Sequence, residues 1–200
     1  FGGAYRERLR LVLEGVPSSL HGSGVRTMEE HLEQIECAAQ TGSDVIVVHP
    51  RTLHLDEGQP DYGFAREVVA CAKQQRVAVA LENGPLAILT DAIAHVDGLG
   101  ICLDTGHIYK GQEQPAKPAV TIADYLAALE GRLVHLHLQD VAPDTDHYTL
   151  GTGLIPAEHW GWLMEALERI DYRGAAVFEI RPYRPLHTAQ QSLGFLNALA

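Results

Sequence analysis

Strand-type and helix-type hydrophobic periods take turns along this chain without a break, and that alternation leaves few folds open. The β-rich runs fall at residues 16–21, 45–49, 77–82, 100–104, 133–138 and 175–180. Apolar residues at helical spacing occupy 5–14, 27–40, 62–75, 85–95, 121–130, 158–170 and 186–199. Strands separated by a whole helical crossover pair in parallel, with each crossover right-handed. Local signals agree with these spans: Thr27 and Glu30 make a capping box, and Thr41-Gly42 closes the same helix. Residues 111–118 and 142–153 read as loops. No composition break or linker divides the chain, so one α/β domain is expected over residues 1–200.

Each β-rich run closes on a side chain able to bind a metal ion. VPSSLH ends in His21, VIVVH in His49, VAVALE in Glu82, GICLD in Asp104, LVHLH in His137 and AAVFE in Glu179. Side chains alternate along a strand, so an inward Glu82 puts Ala80 and Ala78 inside as well, with Leu81, Val79 and Val77 turned toward helices. In α/β sheets and barrels ligands bind beyond the carboxyl ends of the strands, where these six groups would converge. Three imidazoles and three carboxylates buried there without a partner would cost several kcal/mol in effect for each uncompensated ion. A divalent cation removes that cost.

Other polar residues flank this set. In Leu103-Asp104-Thr105-Gly106-His107 the glycine lets the chain bend, so that His107 faces the same mouth as Asp104. The loop at 142–153 offers His147 with acidic neighbours before it and two glycines after it. Asn83 adjoins Glu82 as a polar contact for substrate, and Arg181, of the same parity as Glu179, reaches a substrate phosphate or carboxylate or makes a rim salt bridge. His135 shares the inward face of His137 in a supporting or core role. His31, His54, His95, His159 and His187 have no ligand spacing and read as surface or packing residues.

Composition narrows the function. The chain is 46% hydrophobic and 20% charged, enough apolar side chain for a sizeable core. Its net charge of −11 disfavours nucleic acid and anionic membranes as partners. Cys37, Cys71 and Cys102 sit apart in apolar runs and read as buried thiols of a reducing compartment, without a disulfide framework. No apolar stretch reaches the length of a membrane span and no leader pattern is visible, so a cytoplasmic protein is expected.

The motifs VIVVHP at 45–50, LENGP at 81–85, ICLDTGHIYK at 101–110, LVHLHLQD at 133–140, HYTLGTGLIP at 147–156 and VFEIRP at 177–182 give the sequence a nearly end-to-end resemblance to the xylose isomerase-like barrel superfamily. That superfamily holds sugar and sugar-phosphate isomerases and epimerases alongside the abasic-site endonuclease IV group. The resemblance implies a (β/α)8 TIM barrel. Such a barrel typically takes roughly 250 residues, so about six of eight strands are expected here, with the first two β/α units missing from the N-terminal side. The exposed edges of an incomplete barrel would favour a homo-oligomer.

By the same resemblance, the epimerase branch implies one divalent ion held by Glu82, Asp104, His137 and Glu179. A set of mainly hard oxygen donors suits Mn²⁺ best, with Mg²⁺, Co²⁺ or Zn²⁺ as alternatives. Glu82 and Glu179 would exchange a proton with a ketose or its phosphate through an enediolate, and His107 would contact substrate oxygens. The endonuclease IV group implies instead three zinc ions, with His21, His49 and Glu82 on one, Glu82, Asp104, His137 and Glu179 on a second, and His107 and His147 on part of a third. The aspartate that this group places two residues before its loop histidine is Thr145 here, with Asp144 or Asp146 as substitutes. The acidic balance, and a mouth whose cations are Arg51, Lys110, Lys117 and Arg181, favour the sugar enzyme. A third reading is a truncated relative that binds metal without turnover.

Overall fold

A computed structural model of the chain describes residues 3–22, 24–56, 58–112, 118–143, 145–181 and 185–199. Asp144, Lys117, Pro182 and most of the loop at 111–118 lie outside the described residues. The chain divides into two compact units, Phe1–Cys102 and Leu103–Ala200.

The first unit runs α1 (Gly3–Val12), β1 (Ser19–His21), α2 (Met28–Thr41), β2 (Val45–Val48), α3 (Tyr62–Gln74), β3 (Ala78–Glu82), α4 (Leu86–His95) and the start of β4 (Gly100–Asp104). Its strands are parallel and in register, with Leu20 opposite Ile46, Val47 opposite Ala80 and Glu82 opposite Cys102. Helices cover them: α2 buries Ile35, Cys37 and Ala38, and α3 buries Ala65, Val68, Val69 and Ala72 in the expected stripe. Val79, Ala80, Leu81 and Glu82 are all buried, so β3 has no solvent face at its C-terminal end, and only Ala78 is exposed.

Two first-unit expectations are corrected. Residues 16–18 are not strand, because Pro17 has no N–H to give a ladder, and β1 shrinks to three residues. Cys71 is half-buried rather than buried, lying at the flank of the α3 stripe, whereas Cys37 and Cys102 are buried; none of the three is in a disulfide.

The second unit takes the end of β4 into α5 (Thr105–Tyr109), then α6 (Ile122–Leu129), β5 (Leu133–Leu138), β6 (Asp140–Ala142), β7 (Thr145–Tyr148), α7 (Ala157–Arg169), β8 (Ala175–Phe178) and α8 (Pro185–Asn197). β5 and β8 pair in parallel, His137 opposite Val177, and the Glu179 N–H continues the ladder to the Leu138 carbonyl at 3.1 Å. The stretch 142–153 expected as a loop contains β7, which pairs antiparallel with β6. Pro143 and a run of polar residues disguise that hairpin. Tyr109, Ile122, Leu136, Trp160 and Leu163 form the core of this unit. Among the described residues no helix is long and apolar enough to cross a membrane.

The ends of α2 follow the sequence. Thr27 Oγ1 accepts the Glu30 N–H at 3.3 Å while Glu30 Oε2 accepts the Thr27 N–H at 3.0 Å, and Gly42 closes the helix in the left-handed region at φ 79°. Thr27→Ala removes half of the box and lowers stability by about 1 kcal/mol. Denaturant unfolding measures this, and a midpoint equal to that of the wild type would contradict it.

Candidate functional site

In the first unit, β1 and β2 deliver two imidazoles to the carboxylate that ends β3. His21 Nε2 lies 3.1 Å and His49 Nδ1 3.3 Å from the same oxygen, Glu82 Oε2. Glu82 is 1% exposed, whereas the two histidines are about two-fifths exposed. The His21 ring is fixed from its other side, where Nδ1 meets the Gly22 carbonyl at 3.1 Å. A proton on Nδ1 satisfies that carbonyl and aims the Nε2 lone pair at a carboxylate, an arrangement that only a further proton or a metal ion between them makes favourable. Gly22 permits the turn, since a Cβ there would stand 2.9 Å from the Val47 carbonyl oxygen. One ligand atom from each of His21, His49 and Glu82 falls within 4.8 Å of the others. Asn83, next along, is buried at 6% exposure.

The second unit gathers a larger set. Asp104 ends β4, is fully buried and caps α5, its Oδ1 accepting the His107 N–H at 2.8 Å. Its Oδ2 accepts from Gln139 Nε2 at 2.6 Å and lies 3.9 Å from His137 Nδ1. The same His137 nitrogen is 3.1 Å from Glu179 Oε2. Ligand atoms of Asp104, His137 and Glu179 all fall within 4.8 Å of one another. His147 approaches Glu179 Oε1 with Nε2 at 3.7 Å, and its backbone holds φ at 64°, a left-handed conformation uncommon for a residue with a side chain. His107 points Nδ1 toward Asp104 Oδ2 and Nε2 toward Asp146 Oδ2, each at 3.9 Å.

Asp146 takes up the question left by Thr145. Its Oδ1 pairs with His147 Nδ1 at 2.9 Å, and its Oδ2 accepts from the Lys110 ammonium at 2.6 Å. Burial works to raise this carboxyl, but the hydrogen bonds from Lys110 and His147 outweigh it and hold the group at about 2. The aspartate beside the loop histidine is thus already engaged by a lysine. Arg181 stands at the exposed rim, donating to Thr145 Oγ1, while its backbone N–H reaches the His147 carbonyl at 2.9 Å.

Within the first unit the strand ends bring His21, His49 and Glu82 together, and within the second they bring Asp104, His137 and Glu179 together with His107 and His147 beside them. The remaining histidines pack as expected. Buried His31 bonds the Thr52 carbonyl through Nε2 at 2.8 Å, and His159 meets the Tyr109 hydroxyl at 2.7 Å. His135 is buried with its ring edge-on to His137.

Sequence reasoning gives Gln139 and Asp140 no role and counts Lys110 only as a cation of the mouth. Gln139 had a signal, because residues 135, 137 and 139 share one parity. Asp140 accepts backbone N–H groups from Val141, Gly151, Gly153 and Ile155 at 2.8–3.1 Å, and so fastens the loop after the hairpin. Burial pushes its carboxyl up, against the pull of those four donors.

The family described as "Xylose isomerase-like TIM barrel" matches residues 17–199. The chain belongs to that family, and its fold is the TIM-barrel type. Among solved structures, it is similar to the TTHB071 protein from Thermus thermophilus, soaked with ZnCl2, at 27% identity and a TM-score of 0.76, over 99% of this chain and 83% of that one. A D-tagatose 3-epimerase-like protein matches at 20% identity and 0.70 over the same shares. D-allulose 3-epimerase from Methylomonas sp., in complex with D-allulose, matches at 16% and 0.63, over 86% of this chain and 68% of that one.

Close approach in the second unit depends on one small residue. A Cβ at Gly106 would lie 2.6 Å from both Cδ and Oε1 of Gln139. Gly106→Ala forces a backbone shift and lowers stability by about 1–3 kcal/mol. Denaturant unfolding checks this; a loss indistinguishable from zero would mean that the packing there is looser than described.

Proposed function

We propose that this chain is a divalent-metal-dependent isomerase or epimerase of sugars or sugar phosphates. The observation that carries the reading is the meeting of Asp104, His137 and Glu179, two carboxylates and an imidazole with their ligand atoms within 4.8 Å of one another. The fourth donor of the proposed set is Glu82, the carboxylate on which the run VAVALE closes, in keeping with the strand-end pattern of the sequence. Three carboxylates and one imidazole fit a hard divalent ion, Mn²⁺ first, with Mg²⁺, Co²⁺ or Zn²⁺ able to replace it. The epimerase names carried by two of the solved structures support the same substrate class.

When bound, such an ion supplies Lewis acidity toward a carbonyl and its neighbouring hydroxyl, which makes the C–H between them more acidic. The rest falls to the protein. One of Glu82 and Glu179 removes that proton and the other returns it from the opposite face, giving the epimer through an enediolate; return at the neighbouring carbon gives the aldose. His107, between Asp104 and Asp146, donates to substrate oxygens. Asn83 and Arg181 hold the remainder of the substrate, Arg181 from the rim, where an anionic group would enter.

Metal-loaded protein incubated with ketohexoses and ketose phosphates in D₂O tests this. NMR should show deuterium entering beside the carbonyl as the epimer or aldose forms. Glu82→Gln and Glu179→Gln should each slow exchange by at least about 10²-fold with the far-UV dichroism spectrum unchanged. Absence of exchange by the wild type with every sugar, or full activity in either variant, would contradict the reading.

One observation favours a second reading. His21, His49 and Glu82 form a two-imidazole, one-carboxylate group suited to zinc, as an endonuclease IV-like phosphodiesterase acting on abasic DNA would use. The net charge of −11 opposes duplex binding. One bound ion per chain favours the sugar enzyme, and two or three Zn²⁺ with cleavage of an abasic duplex favour the nuclease.

A further inference from the structure

Gln139 is fully buried and reaches three parts of the second unit at once. Its Nε2 donates to Asp104 Oδ2 at 2.6 Å and approaches Glu179 Oε2 at 3.5 Å, while its Oε1 accepts the His147 N–H at 2.6 Å. Its own backbone is clamped by Thr105, whose Oγ1 accepts the Gln139 N–H at 2.9 Å and donates to the Gln139 carbonyl at 2.7 Å. Gly106 leaves the space that the side chain occupies, since a Cβ there would overlap the amide. The backbone bonded to Oε1 is that of His147, which holds a left-handed φ of 64° and needs outside support to do so.

We infer that Gln139 is a positioning residue: its amide sets the Asp104 and Glu179 carboxylates and the His147 backbone in the arrangement that receives the divalent ion. The inference rests on the metal-dependent reading above and extends it to a residue that touches neither ion nor substrate. The chemistry calls for an amide. A carboxylate oxygen has two acceptor sites, so Asp104 Oδ2 can take the Gln139 N–H on one and keep the other for a metal. A neutral donor between two carboxylates eases their repulsion without adding a positive charge that would exclude the cation. A lysine would fill the cation's role, and a glutamate would add a further negative group.

Gln139→Glu keeps the shape and the acceptor for His147 but loses the donor. Gln139→Met keeps the length and loses both. Isothermal titration with Mn²⁺ should show each variant binding about 10–100-fold more weakly than the wild type. The visible spectrum of the Co²⁺-loaded protein should change in band position or intensity, a response that fold stability alone does not produce. Wild-type affinity and an unchanged Co²⁺ spectrum in either folded variant would overturn the role of Gln139 and leave the metal reading standing. A wild-type protein that takes up no Mn²⁺ would overturn the metal reading and this inference with it. Failure of both variants to fold would make Gln139 a structural residue and reject the positioning role.

Discussion

Withdrawing carboxylates from water is the constraint around which this molecule is organised. Glu82, Asp104 and Asp140 are each 1% exposed or less, and an ionised group in that state needs compensation worth several kcal/mol. The three find it differently. Asp140 is met by four backbone N–H groups of its own loop, which is how a protein uses a carboxylate to fix a chain path. Glu82 is met by two imidazoles, and Asp104 by a helix-capping N–H and a side-chain amide, with the imidazoles of His137 and His107 each at 3.9 Å. Histidines and amides around an acid are adjustable partners, and they suit a site that takes up a cation.

The fold and the strand-end positions of the polar residues are legible in the sequence for one reason. A parallel strand covered on both faces must be apolar along its length, so a charged residue at its tip stands out, as Glu82 does after Val79, Ala80 and Leu81. Less is legible where the signal is not hydrophobic. The β6–β7 hairpin hides behind Pro143 and polar side chains, and its existence is decided by pairing rather than by period. Gln139 carries no charge and belongs to no ligand pattern. Only its parity with His135 and His137 places it on the same face, and only its hydrogen bonds reveal its reach. Lys110 is likewise an ordinary loop cation until it is found on Asp146.

Small residues do as much for the second unit as charged ones. Gly106 admits the Gln139 amide, and a Cβ at Gly153 would lie 2.3 Å from Asp140 Oδ1, so glycine there lets the loop fold onto that carboxylate. Thr105 joins the backbone at Gln139 to the start of α5. These contacts tie the ends of β4 and β5 and the hairpin into one frame, on which Asp104, His137 and His147 are mounted. A site built in this way is held by strand and helix termini and does not rely on long loops for its precision.

Anomalous diffraction from crystals grown with Mn²⁺ tests the central claim most directly, because it locates the ion without reference to any activity. The account predicts one strong peak per chain within bonding distance of Asp104, His137 and Glu179 together. A peak elsewhere, or none at saturating Mn²⁺, would contradict it.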